Sequence, residues 1–394
     1  GPGWRIGVLY SRSGVSGTTE SQHFFGTVLA VEEINALGGV LGMASGIFIV
    51  PILTLLFGVN RLRISRNTKK MMAIDEISVV IPFRNESHNL EAFMECIYAQ
   101  KYQPAQWIFV NDHSSDSYLE LFQKMDEFPI RLLHLPEEQR GKKRAIRFGM
   151  DHVRTEYCLT MDADVAFGKD YMKSMLMLPE AELIILPVEM TGKKWWQSFF
   201  TIEYLFTNLL NKGISGWARP VNCSGANLLI HVSSFDQVDD IEDHDHILSG
   251  DDIYTLRAFR ASGKRIEIVE NDALKVKTET PETLSEVMDQ RVRWLGKTSH
   301  VADYLNNFLG IWAVGLHLYY FLLLIITFFA GVYWLTLLLA AFKFGMDFML
   351  VKMDKKQPSR FDLIGLGLFE LFYPVYLFAL LAYLMVSQPE WKGR

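Results

Sequence analysis

Asp162 and Asp164 stand one residue apart at the end of the apolar run Tyr157-Cys-Leu-Thr-Met161. Two neighbouring carboxylates repel unless a cation sits between them. Hard divalent cations take oxygen from one or two carboxylates and complete their shell with substrate phosphates. If the run is a strand, side-chain alternation sends both carboxylates to one face. A polar turn after a buried strand would show the same residues, so the pair needs partners to carry weight. Asn85, after the apolar run Ile77 to Phe83, and Asp112, after Trp107 to Val110, supply them. A further run, Ile130 to His134, and helix-like stretches fill the intervals, one of them opened by Gly141-Lys142-Lys143-Arg144. That glycine-lysine element lacks the spacing of a P-loop. Strands alternating with helices predict a parallel sheet, with ligands at the carboxyl ends of its strands. Asn85, Asp112 and Asp162 then share one edge.

These residues must be held by a large polar domain inside a chain that is otherwise built for a membrane. At 394 residues there is room for two or three domains, and 49% of them are hydrophobic. A net charge of −6 and the lack of a basic stripe with interleaved aromatics argue against nucleic acid as a partner. Cys96, Cys158 and Cys223 are odd in number, fit no metal spacing and read as reduced structural thiols. Residues 43–60 are apolar and run into a basic linker, 61–75, that carries Arg61, Arg63, Arg66, Lys69 and Lys70. Three more spans are expected at 307–330, 331–351 and 363–387, with Gly331 turning between the first two and a short tail at 388–394. The loop 352–362 holds Lys352, Lys355, Lys356 and Arg360. Positive charge flanking spans marks the cytoplasmic side, which puts both basic segments and the 76–306 domain there.

Residues 1–42 sit oddly with the rest. Gly1-Pro2-Gly3 looks like the scar of a cleaved tag, and the strand and helix that follow resemble the start of periplasmic amide- or amino-acid-binding proteins. We expect a fusion segment, with the native chain beginning at Met43. Residues 193–210 begin with Lys193-Lys-Trp-Trp and continue as an aromatic amphipathic helix, expected to lie at the membrane interface. Glu242-Asp-His-Asp-His246 has metal-ligand residue types, which solvated loop charge explains equally well. Lys343 and Asp347, with Glu370 beside Pro374, are ionisable groups at membrane depth, where a structural pair and a functional one are both open.

Five motifs follow one another: Val80-Ile-Pro-Phe-Arg-Asn-Glu86, Asn111-Asp112-x-Ser-x-Asp116, Asp162-Ala-Asp164, Gly250-Asp251-Asp252 and Gln290-Arg-Val-Arg293-Trp294. Together they resemble membrane-bound family-2 glycosyltransferases with a GT-A fold. The resemblance implies an α/β, Rossmann-like nucleotide-diphospho-sugar transferase domain joined to transmembrane helices. It implies donor contacts from Pro82, Asn85, Glu86, Asp112, Lys142 and Asp162, and Mg²⁺ or Mn²⁺ held by Asp162 and Asp164. Asp251 and Asp252 would form the catalytic pair, Asp252 as general base and one of the two capping the helix that follows. Gln290, Arg293 and Trp294 would line the diphosphate and acceptor end. At Asn111 and His113 the chain departs from the pattern, where many members have Asp and Gly. The implied reaction is inverting transfer from a nucleotide-sugar, a UDP-sugar by expectation, at the cytoplasmic face of a bacterial inner membrane. A lipid-like acceptor is expected, with a processive polysaccharide or oligosaccharide synthase acting on a glycan as the alternative; membrane lipids are the remaining partner.

Overall fold

A computed structural model describes residues 53–61, 72–123, 127–238, 250–300 and 304–387. The expectations for residues 1–42, for most of the 43–60 helix and the 61–75 linker, for Glu242 to His246 and for the tail lie outside them. Thr54–Arg394 belongs to one compact unit.

A helix α1 covers 53–61. The elements that follow are β1 (Ile77–Phe83), α2 (Ser87–Tyr98), β2 (Gln106–Asn111), α3 (Leu119–Phe122), β3 (Ile130–His134), α4 (Lys142–Met150) and β4 (Tyr157–Met161). Next come β5 (Val165–Phe167), α5 (Tyr171–Met175), β6 (Leu183–Ile185), β7 (Val188–Thr191), α6 (Gln197–Ser215), β8 (Asn227–His231) and α7 (Val232–Val238). The last are α8 (Asp251–Ala261), β9 (Ile266–Ile268), β10 (Val276–Glu279), α9 (Leu284–His300), α10 (Tyr304–Phe329), α11 (Tyr333–Asp354) and α12 (Arg360–Val386).

Seven strands form one sheet in the order β3-β2-β1-β4-β8-β6-β9, and β5-β10-β7 form a second. Every residue of β1 and β4 is buried, because core packs on both faces of the sheet; hence their continuous apolar runs rather than alternation. β1 to β4 pair in parallel as expected, but β8 runs antiparallel to both β4 and β6, so the sheet is mixed. The chain reaches β8 after leaving the main sheet through β7 and α6, and enters from the opposite end. A simple strand–helix alternation holds only for the first half.

On one face, Trp107, Phe93, Phe109 and Phe167 meet mostly edge-on, with Phe93 centred 6.3 Å from Trp107 and 5.3 Å from Phe167. On the other, α4 lies so close to β1 that a Cβ on Gly149 would come 2.6 Å from Val80 Cγ1. This contact seats α4 on the sheet and with it the lysine at its first turn.

Among the described residues three helices are long and apolar enough to cross a membrane: Gly310–Phe329 within α10, α11, and α12. Gly331 turns at φ +75° between the first two, a conformation that costs glycine little. Lys343 Nζ lies 2.7 Å from Asp347 Oδ2 and 2.8 Å from Glu370 Oε2, a buried ionic triplet that joins α11 to α12. At the end of the spans, Lys355 lies 3.1 Å from Glu189 and 2.7 Å from Asp362, and Lys212 lies 2.9 Å from Asp354 and 2.8 Å from Glu270. The basic 352–362 loop is therefore anchored to the α/β domain. α6 packs along α12, with Gly365 close against the Ser198 backbone and Phe206 centred 5.0 Å from Phe369.

Candidate active site

The loops after β1 and β2 are laced together at the carboxyl edge. Asn85 N–H donates to Ser114 Oγ at 2.9 Å, Ser115 N–H to Asn85 Oδ1 at 2.8 Å, and Ser87 N–H to Asp116 Oδ2 at 2.8 Å. Asn85 and His113 hold φ of 52° and 54°, a left-handed conformation that costs free energy and clusters at functional sites. His113 is pinned by a 2.9 Å contact of Nε2 with the Gln139 carbonyl. Pro82 lies past the last pairing of β1 with β4, at Val80–Thr160, so its missing N–H leaves no gap on that side. Glu86 faces its own helix start, accepting from Asn89 Nδ2 at 2.6 Å.

Asp112 is buried, and its Oδ2 accepts the Gly141 N–H at 3.1 Å. Asn111, at the departure from the usual pair, serves the scaffold: Nδ2 donates to Tyr118 Oη at 3.0 Å and Oδ1 accepts the Ser114 N–H at 2.9 Å. An amide does both jobs at once, which a carboxylate cannot.

Lys142 is the hub. Its Nζ lies 2.6 Å from Asp162 Oδ1 and 3.6 Å from Asp251 Oδ2, so one ammonium joins the two carboxylate motifs. Burial alone would lower the lysine's pKa, but the charges of Asp162 and Asp251 outweigh it and hold Lys142 above its ordinary range. A raised lysine pKa contributes stability that is fully present below the unfolded value, about 10.4, and is lost only as pH rises past the folded value. Lys142 therefore stays cationic throughout the working range. The helices α4 and α8 that carry Lys142 and Asp251 both start from a glycine at φ +97°, Gly141 and Gly250. A side chain there would strain the turn from which each of these two residues is presented.

The strand β4 ends at Met161, and Ala163-Asp164 form a turn into β5. Strand alternation therefore does not set their relative direction: Asp162 is half-buried against Lys142, and Asp164 is exposed on the turn. Asp252 lies one residue into α8 and faces the Ser224-Gly225-Ala226 loop. Its Oδ2 accepts the Gly225 N–H at 3.3 Å and its Oδ1 the Ile253 N–H at 2.8 Å. Gly250, not an aspartate, is the cap residue of α8, and both acids stabilise the helix from its first turn. A Cβ on Gly225 would stand 2.7 Å from Asp251 Oδ2. Gly225→Ala is thus expected to push Asp251 off Lys142 and lower turnover about tenfold, with thermal stability nearly unchanged; kinetics beside a melting curve check this.

Gln290, Arg293 and Trp294 lie together on α9, whose Asp289 accepts from Tyr383 Oη of α12 at 2.6 Å. Burial pulls the Arg293 guanidinium somewhat below its usual pKa, with Asp289 opposing. Arg291, inside the same motif, is a residue that local pattern does not single out. It is buried, donates from Nε to Glu203 Oε2 at 2.8 Å and from Nη1 to Gln290 Oε1 at 2.7 Å, and stacks 4.3 Å over Trp294. Glu203 also accepts from Tyr376 Oη of α12 at 3.2 Å. A lone carboxylate in the apolar run of α6 was the available signal, since such a group needs a distant cation. Tyr204 of the same helix lies against Trp294, ring centres 5.9 Å apart. Burial pushes its hydroxyl up to about 12, against hydrogen bonds with Asn208 and Ser224. Tyr204 thus links the loop facing Asp252 to Trp294.

Residues 78–237 match the model of the Glycosyl transferase family 2. The chain carries a family-2 glycosyltransferase domain. Residues 4–81 match a Periplasmic binding protein domain, a stretch that runs past residue 42 and overlaps the glycosyltransferase match. Over 112 residues, 28% of this chain, the sequence is 31% identical to poly-beta-1,6-N-acetyl-D-glucosamine synthase of Staphylococcus aureus. Over 105 residues, 27% of this chain, it is 27% identical to glycosyltransferase GlyA of Streptococcus pneumoniae. The matched regions span only 27% and 15% of those two relatives. Among solved structures, the mannosyltransferase PcManGT from Pyrobaculum calidifontis, in complex with GDP-Man and Mn²⁺, aligns over 88% of this chain and 97% of its own. Its TM-score is 0.55 at 16% identity, which supports a shared GT-A fold for the glycosyltransferase domain and its helices.

Proposed function

We propose that the chain is a membrane-bound, metal-dependent, inverting glycosyltransferase that moves a sugar from a nucleotide-sugar to a hydroxyl of a lipid-like acceptor. The observation that carries this reading is the Lys142 ammonium, 2.6 Å from Asp162 and 3.6 Å from Asp251. One cation thus lies beside both an Asp-x-Asp carboxylate and a Gly-Asp-Asp carboxylate, the motifs read as donor-side and acceptor-side.

Asp162 and Asp164 would hold Mg²⁺ or Mn²⁺. Two carboxylates suit a hard cation that draws its other ligands from a diphosphate and water, and the Lys142 ammonium already occupies a cation's position beside Asp162. When bound, such an ion offsets the negative charge that builds on the departing diphosphate. The structural neighbour's Mn²⁺ and GDP-Man are consistent with this donor chemistry. With Asn111 committed to the scaffold, Asp112 is left as the edge carboxylate for the base or ribose, and both UDP- and GDP-sugars belong in a donor panel.

The acceptor hydroxyl attacks the anomeric carbon as the bond to the diphosphate oxygen breaks, and the diphosphate leaves with that electron pair. Asp252 takes the hydroxyl proton. Asp251 is paired with the Lys142 ammonium, whereas Asp252 faces the Ser224-Gly225-Ala226 loop and accepts from neutral backbone N–H groups. Arg293 and Lys142 supply positive charge near the leaving group. The basic loop anchored to the domain through Lys355, together with the positive-inside bias, supports a cytoplasmic active site.

The second reading, a processive polysaccharide synthase, draws on the kinship to poly-beta-1,6-N-acetyl-D-glucosamine synthase and on the Gln290-x-x-Arg293-Trp294 motif. Purified chain incubated with UDP- and GDP-sugars should release nucleoside diphosphate in Mg²⁺ or Mn²⁺ and fall to background with chelator. Product from a membrane-lipid extract should carry one added sugar, whereas a ladder of lengths would favour the synthase. Absence of turnover with every donor would overturn both.

A further inference from the structure

A cavity of about 350 Å³ lies outside the catalytic cleft, where the end of α6 meets α1 and the turn before β9. Its lining holds four basic side chains, Arg61, Arg219, Lys264 and Arg265, and one carboxylate, Glu267, which accepts from Arg265 Nε at 3.1 Å. Lys264 Nζ donates to Gln237 Oε1 at 2.7 Å and Arg219 to the Arg260 carbonyl, both neutral acceptors. Positive charge is therefore in excess within the pocket.

The pocket sits at the level where spans end. α1 closes the apolar stretch 43–60, and Gly58 packs backbone to backbone on Gly213 and Gly216 of α6. Trp217 Nε1 donates to the Thr54 carbonyl at 2.8 Å, while its ring stays 54% exposed beneath the Arg61 guanidinium. One turn earlier, Lys212 pairs with Asp354 at 2.9 Å, at the end of α11. A tryptophan with one face wet and one apolar suits the headgroup layer, and basic pockets beside span ends hold anionic headgroups. Lys264 and Arg265 precede β9, at the amino ends of the parallel strands, whereas Asp112 and Asp162 follow the carboxyl ends of theirs. A ligand held here is not positioned as an acceptor.

We propose that this pocket binds the phosphate headgroup of an anionic membrane lipid and so fixes the glycosyltransferase domain against the bilayer. The full chain in neutral detergent is titrated with dioctanoyl-phosphatidylglycerol, and retained lipid is counted by native mass spectrometry. One equivalent should be retained, and dioctanoyl-phosphatidylcholine should not. Arg219→Gln with Arg265→Gln should weaken retention more than tenfold, since each surface charge is worth roughly fivefold. The Arg219→Lys, Arg265→Lys pair should restore it, and donor turnover retained by both variants reports that they have folded. Equal retention of the phosphatidylcholine, or unchanged retention by the glutamine variant, would overturn the proposal. Displacement by inorganic phosphate at concentrations comparable to the lipid's would also overturn it, making the pocket a free-anion site.

Discussion

Asp252→Asn is expected to lower sugar transfer by about 10²–10⁴-fold while donor affinity stays within a factor of two. The amide preserves shape, and its one oxygen can keep either the Gly225 or the Ile253 N–H, which now donate to separate carboxylate oxygens at 3.3 and 2.8 Å. It cannot take a proton from the acceptor hydroxyl. In the proposed reading donor binding rests on Asp112, whose Oδ2 holds the Gly141 N–H at 3.1 Å, and on the Asp162–Lys142 pair at 2.6 Å. The low-pH limb of the wild-type rate profile should vanish in the variant. No limb below about pH 9 should come from Lys142, because its raised pKa keeps it charged there. Transfer within tenfold of wild type would remove Asp252 as the base and turn attention to Asp251.

Arg291→Ala should destabilise the protein by about 3–5 kcal/mol, the usual loss when one partner of a buried ion pair is removed. The Arg291 and Glu203 side chains are only 4% and 16% exposed. Deleting the guanidinium leaves Glu203 with Tyr376 Oη at 3.2 Å as its remaining neighbour among these groups, and strips Trp294 of its stacking partner. The effect should be non-additive: Arg291→Met combined with Glu203→Gln should be clearly more stable than Arg291→Ala, because no buried charge is then left alone. Thermal unfolding in detergent measures both. A loss below about 1 kcal/mol for Arg291→Ala, or a double variant no better than the single, would show that the pair does not hold α9 to α6. Because Glu203 also contacts α12, the same substitution should reduce turnover through misplacement of Trp294.

The parts of this protein written in local pattern were readable without coordinates. β1 to β4 were apolar runs of strand length, and the three spans were long apolar stretches bounded by Gly331 and by the basic 352–362 loop. Asp112 and Asp162 announced themselves by following such runs directly. Local pattern misled where the chain changed direction. Alternation predicts one face for Asp162 and Asp164, but β4 stops at Met161 and Asp164 sits on a turn, so the turn and not the strand sets their relative direction. The reversed direction of β8 was equally hidden, because strand direction depends on the path the chain takes between strands.

Lys343 and Asp347, four apart on one helix, could be paired from sequence, but charge pairing between elements needed the tertiary structure. The sequence determined that Lys142, Asp162 and Asp251 exist in motifs of the right kind; only folding brings one ammonium within 2.6 Å of one carboxylate and 3.6 Å of the other. Arg291 and Glu203 lie on separate helices, and Lys343 finds Glu370 across a second pair. Hydrophobic periodicity is a property of near neighbours in the chain and survives in the one-dimensional record. The energy of a charge depends on its burial and on which opposite charge shares that burial, and both are decided by residues that meet only when the sheet, α9 and the spans have packed.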